Sequence, residues 1–282
     1  MFHTIKLAIA ILLLLQTNCL AQFGSLFRPA SQNRETDEEP ENDEIETDRD
    51  SFTPSTKVVG LGRLTVESSY TFIDNRELPE THSLPELLFR YGIREKLEFR
   101  FGYNYEVGGA SNPESGNIPF SFDGESEIEE ETKVLYGVKL QISKQENWMP
   151  ESAVILQGHT PTSGNETATN FSSAYTFGWK LRNANVWDSA IRYQASNVEG
   201  DQFNLWAPST VLKMPIGEKW KAHAEYFGIY SDGRRSESSQ HFFSPGAHYL
   251  ITPNFEVGVR VGWGLNEQSP NFFSNLGVGA RF

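Results

Sequence analysis

Residues 97–107 read LEFRFGYNYEV and alternate strictly between two kinds of side chain. One face carries the apolar and aromatic residues Leu97, Phe99, Phe101, Tyr103, Tyr105 and Val107, and the other carries Glu98, Arg100, Gly102, Asn104 and Glu106. Alternation with a period of two is typical of a β-strand, because successive side chains point to opposite sides. The pattern therefore predicts a strand with one apolar and one polar surface.

The same alternation recurs elsewhere, in residues 175–182 and 255–263. Aromatic residues make up 13% of the chain and there are 23 glycines, a pairing that favours strands over helices. Strands in soluble proteins usually have about five or six residues, whereas a tilted strand that crosses a bilayer needs about 9–11. The long alternating segments favour a membrane barrel. A soluble secreted β-sandwich, with its apolar face inward, remains an alternative.

Turn-forming residues divide the chain into about twelve such segments. These are 58–73, 83–93, 96–108, 131–143, 151–160, 171–182, 187–198, 202–214, 219–231, 240–251, 254–265 and 271–282. An even number of strands puts both barrel ends on the periplasmic side, where turns are short. Residues 94–96, 217–218 and 252–254 fit such turns, and the longer stretches 109–130, 161–170 and 232–239 fit external loops. The sequence thus predicts an all-β, antiparallel transmembrane β-barrel.

The two chain termini carry targeting signals. Residues 1–21 are predicted to be a signal peptide, since an apolar run after Lys6 precedes small residues suited to cleavage after Ala21. The last predicted strand alternates Leu276, Val278 and Ala280 toward a terminal Phe282, which resembles the signal read by the barrel-assembly machinery of the bacterial outer membrane. We therefore expect export to the bacterial outer membrane, with membrane lipid and that machinery as partners.

An acidic stretch lies between the signal peptide and the predicted barrel. Residues 31–50 hold ten acidic side chains, and the whole chain has 24 Lys and Arg against 37 Asp and Glu, a net charge of −13. Such a balance argues against nucleic acid as a partner. We predict a disordered acidic periplasmic linker over residues 22–50 and the barrel over 51–282. Asp48, Arg49 and Asp50 are candidates for a small plug in which Arg49 pairs with lumen charges; a capping turn is the alternative.

Charged residues on the polar face are candidates for lining the lumen and selecting solutes. They are Arg90, Glu98, Arg100, Lys139, Lys180, Arg192, Glu225, Glu256, Arg260 and Arg281, with Arg63 and Glu67 from the first predicted strand. Both signs occur, so neighbouring strands can also pair them into a salt-bridge network that only fills the barrel. Eight-stranded barrels are filled by side chains and those of sixteen or more are open, so about twelve strands leave both interpretations standing.

Catalytic and metal-binding patterns are absent from the sequence. The histidines His159, His223, His241 and His248 are scattered, and none lies in a motif that joins a nucleophile to a base. No His or Cys cluster has the spacing of a metal site. We therefore predict that the protein is not an enzyme and needs no cofactor or metal.

Several segments together resemble one family of outer-membrane barrels. They are 46–56 (ETDRDSFTPST), 90–100 (RYGIREKLEFR), 159–164 (HTPTSG) and 247–282. The family is labelled "putative meta-pathway of phenol degradation" and is often called a transporter. The resemblance implies an outer-membrane channel or transporter for small, hydrophobic or aromatic solutes. The alternative is a non-conducting structural or binding barrel with a filled lumen.

Overall fold

The computed structural model describes residues 44–49, 51–110, 112, 128–164, 168–198, 201–234 and 237–282. The predicted signal peptide, residues 22–43 of the predicted linker, Asp50 and most of the predicted loop 109–130 lie outside these ranges. The predictions made for these residues therefore remain predictions. Within the described ranges no helix is long and apolar enough to span a membrane.

The described residues form twelve long strands. The strands are β1 (Leu64–Asp74), β2 (Thr81–Arg94), β3 (Leu97–Gly108), β4 (Ile128–Ser143), β5 (Glu151–Ser163), β6 (Asn170–Lys180), β7 (Val186–Val198), β8 (Asp201–Ile216), β9 (Trp220–Asp232), β10 (Ser239–Thr252), β11 (Phe255–Gly264) and β12 (Phe272–Arg281). Each strand pairs antiparallel with its neighbour in sequence, and β1 pairs with β12, so that the barrel is closed. The predicted fold class and strand number are confirmed.

The wall has its apolar side outward. Phe99 and Phe101 keep 42% and 41% of their surfaces exposed, whereas Glu98 and Arg100 beside them are fully buried. A soluble sandwich would have the reverse arrangement, because its apolar face forms the core. An outward apolar face and a closed ring of hydrogen-bonded strands are typical of an outer-membrane barrel. Closure leaves no strand edge with unpaired backbone groups in the lipid. The soluble-sandwich alternative is therefore wrong.

One predicted strand boundary differs by six residues from the structure, whereas the other boundaries agree to within about three residues. Residues 58–63 were expected to begin the first strand, but β1 starts at Leu64, and Arg63 before it is exposed. Val59 is instead buried inside the barrel, and Leu61 makes an isolated parallel bridge with Gly92. These residues lead the chain from the lumen to the wall, so they cannot join the antiparallel ladder.

The chain before β1 lies inside the barrel. We call residues 44–59 the lumen segment, of which all but Asp50 are described. At the end of the barrel where β1 begins, Ile45 donates its N–H to the Pro253 carbonyl. Its middle reaches Phe227 of β9, where the Phe52 ring stacks, and it returns so that the Val59 N–H meets Glu98 of β3. The segment therefore enters and leaves the lumen at the same end.

The position of this segment corrects the predicted linker boundary. Residues 44–49 were assigned to a disordered linker, yet Ile45, Asp48 and Arg49 are 1%, 2% and 6% exposed. Composition alone indicates disorder because such a stretch cannot form its own core. Inside the barrel its carboxylates instead meet buried cations on the wall, which composition does not reveal.

The wall makes room for the segment at two glycines. A Cβ at Gly279 of β12 would overlap the methyl group of Thr47, and one at Gly92 of β2 would overlap the carbonyl of Val59 and that of Gly60 just after the segment. Backbone and segment therefore approach each other at these positions as only glycine permits.

Candidate functional site: the lumen and its inserted segment

Asp48 lies at the centre of a buried cluster of cations. Its Oδ2 is 2.5 Å from Nη1 of Arg100 and 3.7 Å from Nε of Arg90, and Nζ of Lys139 lies 3.2 Å from both carboxylate oxygens. The strand register brings the cations together, since Arg90 is directly opposite Arg100 and Glu98 is opposite Lys139. Like charges facing each other across a ladder are destabilising. Asp48 and Glu98 compensate that repulsion from inside the lumen.

Arg90 joins three strands to the lumen segment. It makes a two-pronged contact with Glu98, at 2.9 Å and 3.0 Å, and a 3.1 Å contact with Glu67. It also donates to the backbone carbonyls of Glu46 and Lys57, one on the ingoing and one on the outgoing part of the segment. A planar guanidinium suits this geometry because it offers five donors in a fixed fork.

Arg49 makes a second set of contacts. Its Nη1 lies 2.7 Å from Oε2 of Glu86 on β2 and 2.9 Å from the hydroxyl of Ser69 on β1. The structure thus places Arg49 against lumen charges, as the plug hypothesis requires. Asp50, the third plug candidate, lies outside the described residues.

Glu225 of β9 holds the innermost part of the segment. Its carboxylate accepts the N–H groups of Phe52 at 2.9 Å and Thr53 at 2.7 Å, and also the Thr53 hydroxyl at 2.7 Å. Arg260 of β11 reaches the same carboxylate at 3.3 Å. Arg192 of β7 donates to the Phe52 carbonyl at 3.1 Å. Two of the predicted lumen residues, Glu225 and Arg192, therefore bind one short piece of the segment, and a third, Arg260, pairs with Glu225.

An apolar cluster on the inner wall adjoins this contact. It consists of the wall residues Ile73, Phe203, Leu205, Ala207, Phe227, Ile229, Phe242 and Phe273 together with Phe52 of the segment, all buried. Sequence reasoning missed it, because the inner face was expected to be polar throughout. The sequence carried a sign of this cluster, because two strands have large apolar side chains on both faces. They are Phe203, Leu205 and Trp206 in β8, and Tyr226, Phe227 and Ile229 in β9.

A cavity of about 1170 Å³ lies at the end where the lumen segment enters. Its charged lining includes Glu44, Glu46, Lys57, Lys180, Lys213, Lys221 and Glu256. Lys221 is 2.8 Å from Glu44 and Lys57 is 3.4 Å from Glu46, and Glu256 accepts the Thr47 hydroxyl. Of the predicted lumen candidates, Lys180 is exposed at this mouth and Arg281 binds Asn254 at the rim. These two residues do not belong to the central cluster.

Two histidines also line this cavity, His223 and His248, whose ring nitrogens are 3.0 Å apart. No group of three or more His, Cys, Asp or Glu side chains in the described part of the chain is placed to hold a metal ion.

The charge state of Asp48 follows from its neighbours. Burial raises the pKa of this carboxyl, but Arg90, Lys139 and Arg100 together outweigh burial and hold it well below its ordinary value of 3.8. Asp48 is therefore ionised throughout the neutral range and pairs with the wall as an anion.

The residues predicted to form the assembly signal lie on the outer surface of β12 and at Phe282 directly after it. Leu276, Val278 and Phe282 are 59%, 44% and 75% exposed, and Ala280 is half-buried. The strand is paired on both sides, with β1 and β11. Recognition by the assembly machinery stays a prediction.

Comparison with known proteins places this barrel among outer-membrane proteins. No curated protein matches the chain in sequence. The outer-membrane channel from Pseudomonas putida F1 is similar in structure, with a TM-score of 0.57 at 9% identity, over 85% of this chain and 100% of that chain. The NanC porin has a TM-score of 0.52 at 11% identity, over 77% of this chain and 98% of that chain. At these identities the likeness shows a shared fold.

Sequence comparison reaches the family level. The profile of the family described as "Putative MetA-pathway of phenol degradation" matches residues 47–282. The match includes most of the lumen segment as well as all twelve strands. The resemblance noted in the sequence is therefore confirmed, and the chain belongs to this family of outer-membrane β-barrels.

Proposed function

We propose that the protein is an outer-membrane channel for small solutes, closed at rest by the lumen segment. The observation that carries this proposal is that a separate piece of chain, rather than the wall side chains alone, fills the middle of the barrel. Asp48 and Arg49 hold that piece through side-chain contacts, which can be broken without disturbing the strand ladder. The solvent-accessible cavity already occupies one end of the lumen. The channel named among the similar structures supports the same function.

The solutes we propose are small and at least partly hydrophobic or aromatic. The inner wall carries an apolar cluster between the inner contact of the segment and the external ends of β8, β10 and β12. A purely ionic pore would gain nothing from such a surface, whereas an apolar solute is stabilised by it. The family description, which refers to phenol degradation, is consistent with this class of solute.

A second candidate function is a non-conducting barrel whose lumen is permanently filled. The buried ion pairs around Asp48 favour it, because a segment held by so many contacts could also serve only to stabilise the barrel. Conductance distinguishes the two functions.

We expect the Asp48→Ala variant to open far more often than the unchanged protein. Removing one partner of a buried ion pair costs about 3–5 kcal/mol. At about 1.4 kcal/mol per tenfold change, the ratio of inserted to released segment should fall by about two to three and a half orders of magnitude. Planar-bilayer recordings of the refolded chain measure this as open probability.

Glu46→Gln is the matched control for Asp48→Ala. Glu46 belongs to the same segment, but its side chain is 24% exposed and its ion pairs with Lys57 and Lys213 are longer, at 3.4 Å and 3.8 Å. Partly exposed pairs contribute little, so this variant should open about as rarely as the unchanged protein. Equal open probabilities for the two variants would contradict the role given to Asp48.

The channel should stay closed on mild acidification. A carboxyl whose pKa is lower in the inserted segment than in the released one stabilises insertion at every pH above its ordinary value of 3.8. That stabilisation is lost only as the pH falls below this value. Open probability should therefore be flat between about pH 8 and pH 5 and rise below about pH 4. The Asp48→Asn variant should show a smaller rise, because burial of Glu46 in the same segment is outweighed by Lys57 and Lys213, which also lower its pKa. Opening of the unchanged protein near pH 6 would show that another group controls the segment.

A further inference from the structure

The innermost residue of the lumen segment is held in the way a protein holds a ligand. The Phe52 ring stacks on Phe227, with ring centres 4.2 Å apart and planes 6° from parallel. The guanidinium carbon of Arg192 lies 4.7 Å from the centre of the same ring. The Phe52 N–H donates to Glu225 at 2.9 Å and its carbonyl accepts from Arg192 at 3.1 Å. The ring and both adjacent peptide groups are thus all contacted by the wall, through Phe227, Glu225 and Arg192.

Apolar wall residues extend from this position toward the external end of the barrel. Phe227 stacks on Phe242 at 4.6 Å, and Phe273 lies 6.2 Å from both rings. Phe242 and Phe273 are close to the external ends of their strands, which begin at Ser239 and Phe272. The Phe52 position is therefore the inner end of a continuous cluster of buried aromatic rings that reaches toward the external end of the barrel.

We propose that Phe52 occupies a solute-binding site and that a small, neutral aromatic solute displaces it. The site takes one ring on Phe227, beneath the Arg192 cation, which favours aromatic over saturated rings. Glu225 requires a hydrogen-bond donor and Arg192 an acceptor, so the solute carries both, as in a carboxamide or a hydroxyl group. An aromatic carboxylate fits poorly, because it would bring a second negative charge to Glu225.

This site rests on the proposed function, since it makes the solute itself the agent that releases the lumen segment. Solute and Phe52 compete for the same wall groups, so the solute binds only the released form. Its apparent affinity is then reduced in proportion to the fraction of protein in that form. In return, binding shifts the population toward the released, conducting form.

Benzamide is a suitable probe because it carries one ring, an amide NH₂ donor group and one carbonyl acceptor, which match the ring, N–H and carbonyl that Phe52 presents. We expect isothermal titration calorimetry of the refolded full chain to show benzamide binding about tenfold tighter, or more, in Phe52→Ala than in the unchanged protein. Phe227→Ala should abolish binding. Cyclohexanecarboxamide, which lacks the aromatic ring, and benzoate, which is an anion, should bind at least tenfold more weakly than benzamide.

The affinity increase is the decisive result, because a variant that merely damaged the barrel would weaken binding. Unchanged or weaker benzamide binding in Phe52→Ala would overturn the site. If that variant does not fold, Phe52→Leu replaces it, since leucine fills the space without a ring to stack, and the same increase is expected. Calorimetry needs no conduction. If the barrel without its segment conducts but benzamide does not bind, only this binding site is refuted. If benzamide binds tightly but the barrel never conducts, only the channel function is refuted.

Discussion

A chain that begins at residue 60, and so lacks the lumen segment, is expected to conduct in discrete steps, whereas a chain that begins at residue 44 stays closed. The segment fills the middle of the lumen with buried residues such as Phe52 and Asp48, 1% and 2% exposed, and its removal joins the cavity at one end to the rest of the lumen. Planar-bilayer recordings of both refolded chains measure the difference. Heat-modifiable migration in detergent shows whether each barrel is closed and folded.

The shortened chain should also prefer anions. Without Asp48, the cations Arg90, Arg100 and Lys139 face an open lumen, with Glu98 and Glu67 as their remaining acidic neighbours. Arg100→Ala and Arg260→Ala in the shortened chain should each shift the reversal potential toward cation preference. A folded but silent shortened barrel would contradict the channel and favour a filled structural barrel. A conducting barrel with unchanged selectivity in both variants would instead remove Arg100 and Arg260 from the selectivity residues.

The barrel wall could be predicted because strand parity is a local property. Alternation in residues 97–107 fixed which side chains share a face, and β3 runs over Leu97–Gly108 as expected. The closing turns at 94–96, 217–218 and 252–254 also carry local signals, and each joins two paired strands. Ten predicted lumen residues accordingly lie on the inner face or at its mouth.

The lumen contacts could not be predicted because they join residues far apart in sequence. Asp48 meets Lys139 across 91 positions, and Phe52 meets Glu225 across 173. The acidic composition before residue 50 describes a chain in water, where its charges have no partners. Only the closed barrel gathers buried cations that make insertion favourable. The apolar cluster was missed for a related reason, since phenylalanine on an inner face resembles an outward residue until the strand register is known.

The charged inner wall itself provides a second large effect, on stability. Arg90→Met is expected to lower the free energy of unfolding by about 3–5 kcal/mol, because it leaves the fully buried Glu67 and Glu98 without their shared cation. Methionine keeps much of the volume and the unbranched shape of arginine, so the loss reports charge and hydrogen bonding rather than a cavity. Denaturant unfolding of the refolded barrel in detergent measures it.

Lys180→Met is the matched control for Arg90→Met. Lys180 is also an inner-face cation, but it is exposed at the mouth, so its removal should leave the unfolding midpoint nearly unchanged. A large loss of unfolding free energy for Arg90→Met alone would show that the central cations stabilise the barrel. Their effect on ion selectivity would then have to be measured in variants that keep the charge. Similar small losses of unfolding free energy for both variants would mean that the charge of Arg90 does not stabilise the barrel. The cluster around Asp48 would then serve to hold the lumen segment rather than to stabilise the wall.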